Sequence, residues 1–264
     1  MCGIFTAVYK NKDKLNLPFC KSSLEGLKKR GPDWSFQKII EKIFFGQTVL
    51  SMSGKKKKNI LNHVSNSKRF LLLFNGEIYN YRELNDKYSL NLNKNFNDTK
   101  VLVNLFDKMN IQQVIRELDG MFAFVLYDNY LKKIYFSRDL QGEKSLYFYE
   151  DEEKFLISSE STTFLNSNCK TKIHKTGLQS YFNSRHYLQL RDSAYQNVKN
   201  ILPGETIEFD LKTLKKKSII KQNISDWVNE KTYKDNENKT LEELSEELEK
   251  LLINNLKSMS PEKR

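Results

Sequence analysis

The chain has 264 residues, 39% of them hydrophobic and 12% aromatic, which is ample for a buried core and excludes disorder as the expectation despite 29% charged residues. Forty-four basic against 33 acidic residues give a net charge of +11 at pH 7, yet the lysines are scattered and only Lys55 to Lys58 form a dense run. The excess therefore reads as a lysine-rich solvated surface, and no nucleic-acid partner is expected.

Three cysteines, Cys2, Cys20 and Cys169, are odd in number and too far apart for CxxC chemistry. Neither a disulfide framework nor a zinc site is indicated, and a reducing, cytoplasmic setting fits best. No charged leader followed by an apolar stretch opens the chain, and apolar runs such as Phe70 to Phe74 are far too short to span a bilayer. Neither export nor a membrane partner is expected.

Short apolar or alternating runs predict strands at Ile4 to Tyr9, Ile43 to Met52, Phe70 to Phe74, Met121 to Tyr127, Ile134 to Ser137, Ser145 to Phe148 and Phe155 to Ser158. Between them, Ser22 to Lys29 and Asp98 to Met109 carry apolar residues at helical spacing, the first ending at Arg30-Gly31-Pro32 because proline disfavours helix at the residue before it. Many short strands with a few helices predict an α+β layered domain around antiparallel sheets. Further on, residues 177–189 are a candidate helix, and Leu202-Pro203-Gly204-Glu205 reads as a turn before a strand at Thr206 to Phe209. The polar stretch 211–239 reads as a linker. Thr240-Leu241-Glu242-Glu243 is a capping-box pattern, and leucines at 241, 244, 248, 251, 252 and 256 draw one apolar stripe along the helix that follows. Arriving after a linker, that helix reads as the start of a second, truncated domain over 240–264, with the first domain over 1–210.

The residue with most chemical promise is Cys2. Once Met1 is removed, its thiol and α-amine share one carbon, and an adjacent amine with a reference pKa of about 7.7–8.0 can take the proton of a thiol near 8.5. Taken with Arg30-Gly31-Pro32-Asp33, Phe74-Asn75-Gly76-Glu77-Ile78-Tyr79-Asn80, Asp98-Thr99 and Arg138-Asp139-Leu140-Gln141-Gly142, Cys2 carries a wider pattern. The chain resembles the class II, N-terminal-nucleophile glutamine amidotransferases, and within them the glutaminase domain of glutamine-hydrolysing asparagine synthetase. The likeness continues through Leu118 to Phe124, Lys144-Ser145-Leu146-Tyr147, Ser158-Ser159-Glu160, Leu202-Pro203-Gly204 and the terminal helix.

The resemblance implies an αββα sandwich of two antiparallel sheets between helices, and hydrolysis of L-glutamine to glutamate and ammonia through a Cys2 thioester. It implies an oxyanion hole from the Asn75 side chain and the Gly76 N–H, where losing one donor costs roughly 2.7–4 kcal/mol. It also implies glutamine contacts at positions 49, 50, 52, 75, 76, 77 and 98, here Val49, Leu50, Met52, Asn75, Gly76, Glu77 and Asp98. From the residues alone, Asn75-Gly76 also fits a hairpin turn and Asp98 a helix N-cap. Arg30 and Asp33 read as support for the loop beside the nucleophile, and Arg138 with Asp139 as a structural pair. His63, His174 and His186 form no motif, and no metal or cofactor is expected in this domain. ATP and magnesium would belong to the synthetase domain, whose Ser-Gly-Gly motif is absent from these residues.

One position departs from the resembled pattern. The usual Arg-Leu-Ser-Ile, whose arginine clasps the substrate α-carboxylate, stands here as Val49-Leu50-Ser51-Met52. Losing a hydrogen bond to a charged group costs about 1.5–3 kcal/mol, so a raised KM for glutamine is expected unless Lys55 to Lys58 or Arg69 substitutes. The expected partners are L-glutamine and the chain's own synthetase domain, with a homodimer open to it. The alternatives are an amidotransferase serving another acceptor and a weakly active or inactive interaction module.

Overall fold

A computed structural model describes residues 1–51, 60–92, 96–166, 169–185, 191–228 and 230–259. They fall into two compact units, Met1–Lys221 and Gln222–Arg264.

The first unit holds two antiparallel sheets. One has six strands in the order β2-β3-β1-β8-β7-β9, formed by β1 (Gly3–Tyr9), β2 (Trp34–Ile40), β3 (Ile43–Val49), β7 (Tyr147–Glu150), β8 (Lys154–Ser158) and β9 (Val198–Asn200). The other has five in the order β11-β10-β6-β5-β4, formed by β4 (Phe70–Ile78), β5 (Gly120–Asp128), β6 (Lys133–Arg138), β10 (Glu205–Asp210) and β11 (Lys215–Lys221). Because successive side chains of a strand face opposite ways, each strand divides its residues between two layers. Ile4 and Val8 of β1, Ile43 and Phe45 of β3, Leu71 and Leu73 of β4, and Ala123, Val125 and Tyr127 of β5 meet in the core between the sheets.

The opposite faces are covered by helices. Phe5, Ala7, Tyr9 and Phe44 pack with Cys20, Leu24 and Leu27, of which Cys20 and Leu24 belong to α1 (Leu17–Gly26). Phe70, Leu72 and Phe74 pack with Leu84 of α2 (Tyr81–Lys87), with Val101, Leu102, Leu105 and Phe106 of α3 (Asp98–Lys108), and with Val114 and Ile115 of α4 (Ile111–Glu117). The layers therefore run helix, sheet, sheet, helix, as expected. A fifth helix, α5 (Lys175–Ser184), follows the strands of the first sheet.

Differences from the sequence reading have local causes. The first helix starts at Leu17 rather than Ser22 because Asn16 caps it, accepting from the Phe19 N–H, with Pro18 in the first turn. The predicted Phe70 to Phe74 strand continues through Asn75-Gly76 to Ile78, so those two residues are strand and not hairpin. The stretch 211–239 is not an irregular linker throughout, because β11 occupies residues 215–221 as an edge strand paired with β10. An edge strand tolerates lysine-rich sequence, and polar composition alone hid it.

The second unit holds α6 (Glu230–Glu237) and α7 (Leu241–Met259). The capping box at the head of α7 forms as expected: Thr240 Oγ1 accepts from the Glu243 N–H at 3.2 Å, and Glu243 Oε2 accepts from the Thr240 N–H at 2.8 Å. Its leucine stripe is exposed, Leu251 by 61% and Leu256 by 69%. No described helix is long and apolar enough to cross a membrane.

Candidate functional site

Cys2 lies one residue before β1, beside the end of β3, where Gly3 pairs with Thr48 and Ile4 with Gln47. It is half-buried, and its thiol is directed to the Leu50 carbonyl at 3.9 Å. The Arg30-Gly31-Pro32-Asp33 turn holds this end together. Arg30 Nε donates to the Cys2 carbonyl at 3.2 Å while its Nη1 pairs with Glu160 at 3.3 Å. The Asp33 N–H donates to the Val49 carbonyl at 3.1 Å, and the Asp33 carboxylate accepts from the Ser51 N–H at 2.8 Å. Only glycine fits at position 31, because a Cβ there would fall 2.4 Å from the Thr48 carbonyl carbon and the Val49 nitrogen.

Burial pushes the Cys2 thiol above its ordinary range, and the Asp98 carboxylate adds to the rise. The Leu50 backbone, the terminal ammonium and Arg30 pull the other way without cancelling it. A thiol so placed is protonated at neutral pH and needs a neighbouring base to become a nucleophile.

The facing half of the site is the free edge of β4, the last strand of its sheet. In an antiparallel strand the backbone N–H and C=O groups of alternate residues point to the same side. The outward groups of β4 are met one after another. Phe70 donates to Ser65 Oγ at 3.2 Å and accepts from the Ser65 N–H at 3.1 Å. The Leu72 carbonyl accepts from His63 Nδ1 at 2.9 Å. Phe74 is met by Gln47, whose Nε2 donates to the Phe74 carbonyl at 2.6 Å and whose Oε1 accepts from the Phe74 N–H at 2.9 Å. The Ile78 N–H donates to Asp98 Oδ2 at 3.3 Å.

Gly76 stands between these last two caps and is met by no side chain or turn among the described residues. Its partner across the ladder, Phe122, accepts from the Asp139 N–H at 2.8 Å and donates to Asp139 Oδ2 at 3.2 Å, both directed away from β4. The Gly76 N–H thus faces the open edge. A Cβ at this position would lie 2.2 Å from the Met121 carbonyl oxygen, so glycine is required by the packing of β4 on β5. Next to it, Asn75 is 1% exposed and its Nδ2 has no acceptor among the described residues. Leaving a buried donor unmet costs about 1–3 kcal/mol, so the Asn75 amide, beside the outward Gly76 N–H, offers a place for an acceptor.

The remaining expected contacts gather around these two halves. Val49 ends β3 opposite Trp34, and Leu50 follows it with its carbonyl on the Cys2 thiol. Glu77 is half-buried on the same face of β4 as Asn75. Asp98 opens α3, but the N-cap is Asn97, which accepts from the Lys100 N–H at 3.0 Å. Burial pushes the Asp98 carboxyl up, opposed by the Thr99 and Ile78 N–H donors. Met52 lies outside the described residues. Arg69, offered as a replacement cation, is engaged by Asp128 at 2.6 Å, and Lys55 to Lys58 lie outside the described residues. Arg138 does not pair with Asp139 by hydrogen bond; its guanidinium donates to the carbonyls of Gly142, Lys144 and Ile201. Gln47 carried no weight in the sequence reading, although a polar residue at the inward position of an apolar strand was the signal available.

An αββα sandwich with a half-buried thiol at the head of β1 is the architecture of a class II glutamine amidotransferase domain. Residues 1–220 match the glutamine amidotransferase domain family, and the chain belongs to it. A probable glutamine-hydrolysing asparagine synthetase of Acanthamoeba polyphaga mimivirus is 32% identical over 165 residues, covering 61% of this chain and 30% of that protein. A putative asparagine synthetase of Methanocaldococcus jannaschii is 29% identical over 234 residues, covering 80% and 44%. The Homo sapiens asparagine synthetase is 28% identical over 254 residues, covering 86% and 45%. The chain thus spans less than half the length of these relatives. Among solved structures, the glutamine phosphoribosylpyrophosphate amidotransferase of B. subtilis shares the fold with a TM-score of 0.59 at 15% identity, over 82% of this chain and 49% of that one.

Proposed function

We propose that this chain is the glutaminase half of an asparagine synthetase-type enzyme, with Cys2 as the nucleophile after removal of Met1. The observation that carries the reading is the pair of donors unmet among the described residues, Asn75 Nδ2 and the outward Gly76 N–H, on consecutive residues of the β4 edge. The thiol passes its proton to its own α-amine as Sγ attacks the side-chain carbonyl carbon of glutamine. Negative charge gathers on the carbonyl oxygen, which the two donors receive. The ammonium returns the proton as the C–N bond breaks, releasing ammonia and leaving a thioester. Water then attacks the thioester, freeing glutamate and the thiol. A raised thiol pKa suits this course, because the base and not bulk pH then governs when the nucleophile forms.

Glu77 and Asp98 are the groups proposed to hold the amino-acid end, Asp98 as the anion for the α-ammonium, with Val49, Leu50 and Met52 lining the approach. Valine at 49 supplies neither charge nor hydrogen bond, which supports a raised KM for glutamine. Ammonia would pass to a synthetase domain using ATP and magnesium to make asparagine from aspartate in the cytoplasm. The exposed stripe of α7 supports the view that residues 240–264 belong to such a domain.

The test is an intact mass followed by a glutaminase assay of the wild type and Cys2→Ala. Expected are loss of Met1, ammonia release by the wild type, and a fall of roughly a thousandfold or more in the variant. Retention of Met1, or equal ammonia release by the variant, would overturn the assignment of Cys2. Absence of activity from a wild type lacking Met1 would favour an interaction module instead.

A further inference from the structure

We propose that Gln47 is a positioning residue that sets the donors of β4 against the nucleophile, an inference that rests on the glutaminase reading and extends it. Gln47 belongs to β3, where it lies opposite Ile4, two residues along β1 from Cys2. Alternation places it on the inner face with Ile43 and Phe45, facing the second sheet. There it is 2% exposed, and both ends of its carboxamide are spent on one backbone residue: Nε2 on the Phe74 carbonyl and Oε1 on the Phe74 N–H. The two bonds fix the orientation of the side-chain amide, since exchanging its ends would set donor against donor and acceptor against acceptor.

This contact differs from the other caps of the β4 edge. Ser65 and His63 belong to the segment that runs directly into β4. Gln47 comes from the sheet that carries the nucleophile, so it alone among those three ties the two sheets together at this edge. Phe74 immediately precedes Asn75, and its outward N–H is one pleat before that of Gly76. A side chain that holds Phe74 in place also holds the direction of the next two donors. An oxyanion hole depends on such placement, because its donors must meet the developing charge within a few tenths of an ångström. The surrounding strand, Ile43-Phe44-Phe45-Gly46-Gln47, is otherwise apolar or small, and an apolar residue at 47 would fill the layer without making either bond.

Gln47→Met keeps the volume and removes both hydrogen bonds. Purified wild type and variant are compared for kcat and KM with glutamine, and for the rate at which iodoacetamide alkylates Cys2, a reaction that develops no oxyanion. Expected is a fall in kcat of roughly ten- to a hundredfold, with KM within about threefold and alkylation within about twofold of wild type. Should Gln47→Met fail to fold, Gln47→Glu takes its place. Its neutral acid form can make both bonds, so the ratio of its kcat to the wild-type value should climb as pH falls from about 8 to about 6. A kcat within twofold of wild type in Gln47→Met, alkylation falling in step with kcat, or a ratio flat with pH in Gln47→Glu would overturn the proposal. A wild type that has lost Met1 yet makes no ammonia would overturn the glutaminase reading itself, and this proposal with it.

Discussion

The two sheets bring opposite kinds of chemistry to the same place. At the head of β1 polar groups are engaged: the Cys2 carbonyl by Arg30, the Asp33 carboxylate by Ser51, the Thr48 hydroxyl by the Leu27 carbonyl. At the edge of β4 the backbone is engaged on both sides of Gly76 and, among the described residues, left open there, beside a buried amide whose Nδ2 has no acceptor. One half is held by its bonds; the other keeps two donors unmet among the described residues. A nucleophile needs a fixed position, whereas a charge-receiving site needs donors with nothing else to bind.

Breaking each half should have graded effects. The largest belongs to Cys2→Ala, at roughly a thousandfold or more in glutaminase rate, because the covalent route closes entirely. Next is Asn75→Ala on the β4 side. It should lower kcat by roughly 10²–10³, about 2.7–4 kcal/mol, with little change in thermal midpoint, because the lost amide bonds nothing through Nδ2 among the described residues. A large loss of stability without that fall in kcat would show the amide to be structural.

His63 tests the capping of the edge rather than its opening. Burial lowers its pKa to about 4 from an ordinary 6.5, opposed by its bond to the Leu72 carbonyl. The unfolded chain therefore takes up a proton below pH 6.5 that the folded chain refuses until about 4, and stability drains away across that window as pH falls. The full effect is about 3 kcal/mol. Urea midpoints at about pH 7 and pH 4.5 should lie closer together for His63→Gln than for wild type; parallel losses would remove His63 from the account.

The smallest effect falls on the substrate end. Val49→Arg should lower the KM for glutamine tenfold or more, from a gain of about 1.5–3 kcal/mol, while kcat changes little. An unchanged KM would mean that another group already serves the α-carboxylate.

Much of this site could be read from sequence, for reasons visible residue by residue. Asp98 opens a helix whose apolar spacing announces it, and Cys2 draws attention by position alone. Asn75-Gly76 was harder, because the pair ordinarily closes a hairpin, whereas here the tight approach of β5 requires the glycine and the strand runs on. The cap by Gln47 joins residues 27 apart in sequence on different sheets, and no periodicity records such a pairing. β11 stayed hidden because an exposed edge strand needs few apolar residues, and Lys215, Lys216 and Lys217 gave the composition of a linker.

The capping of β4 also bears on how the protein avoids its own kind. An exposed sheet edge is a template on which a strand of another molecule can add, the first step toward aggregation. The second sheet has two edges, and β11 guards one with its exposed lysines and the irregular register opposite Thr206 and Ile207. The other is β4, where Ser65, His63 and Gln47 take the places a foreign strand would use. Among the described residues, what they leave is the step at Gly76, too short to seed a strand. An edge interrupted in this way offers a foreign strand no continuous run of backbone groups to pair with.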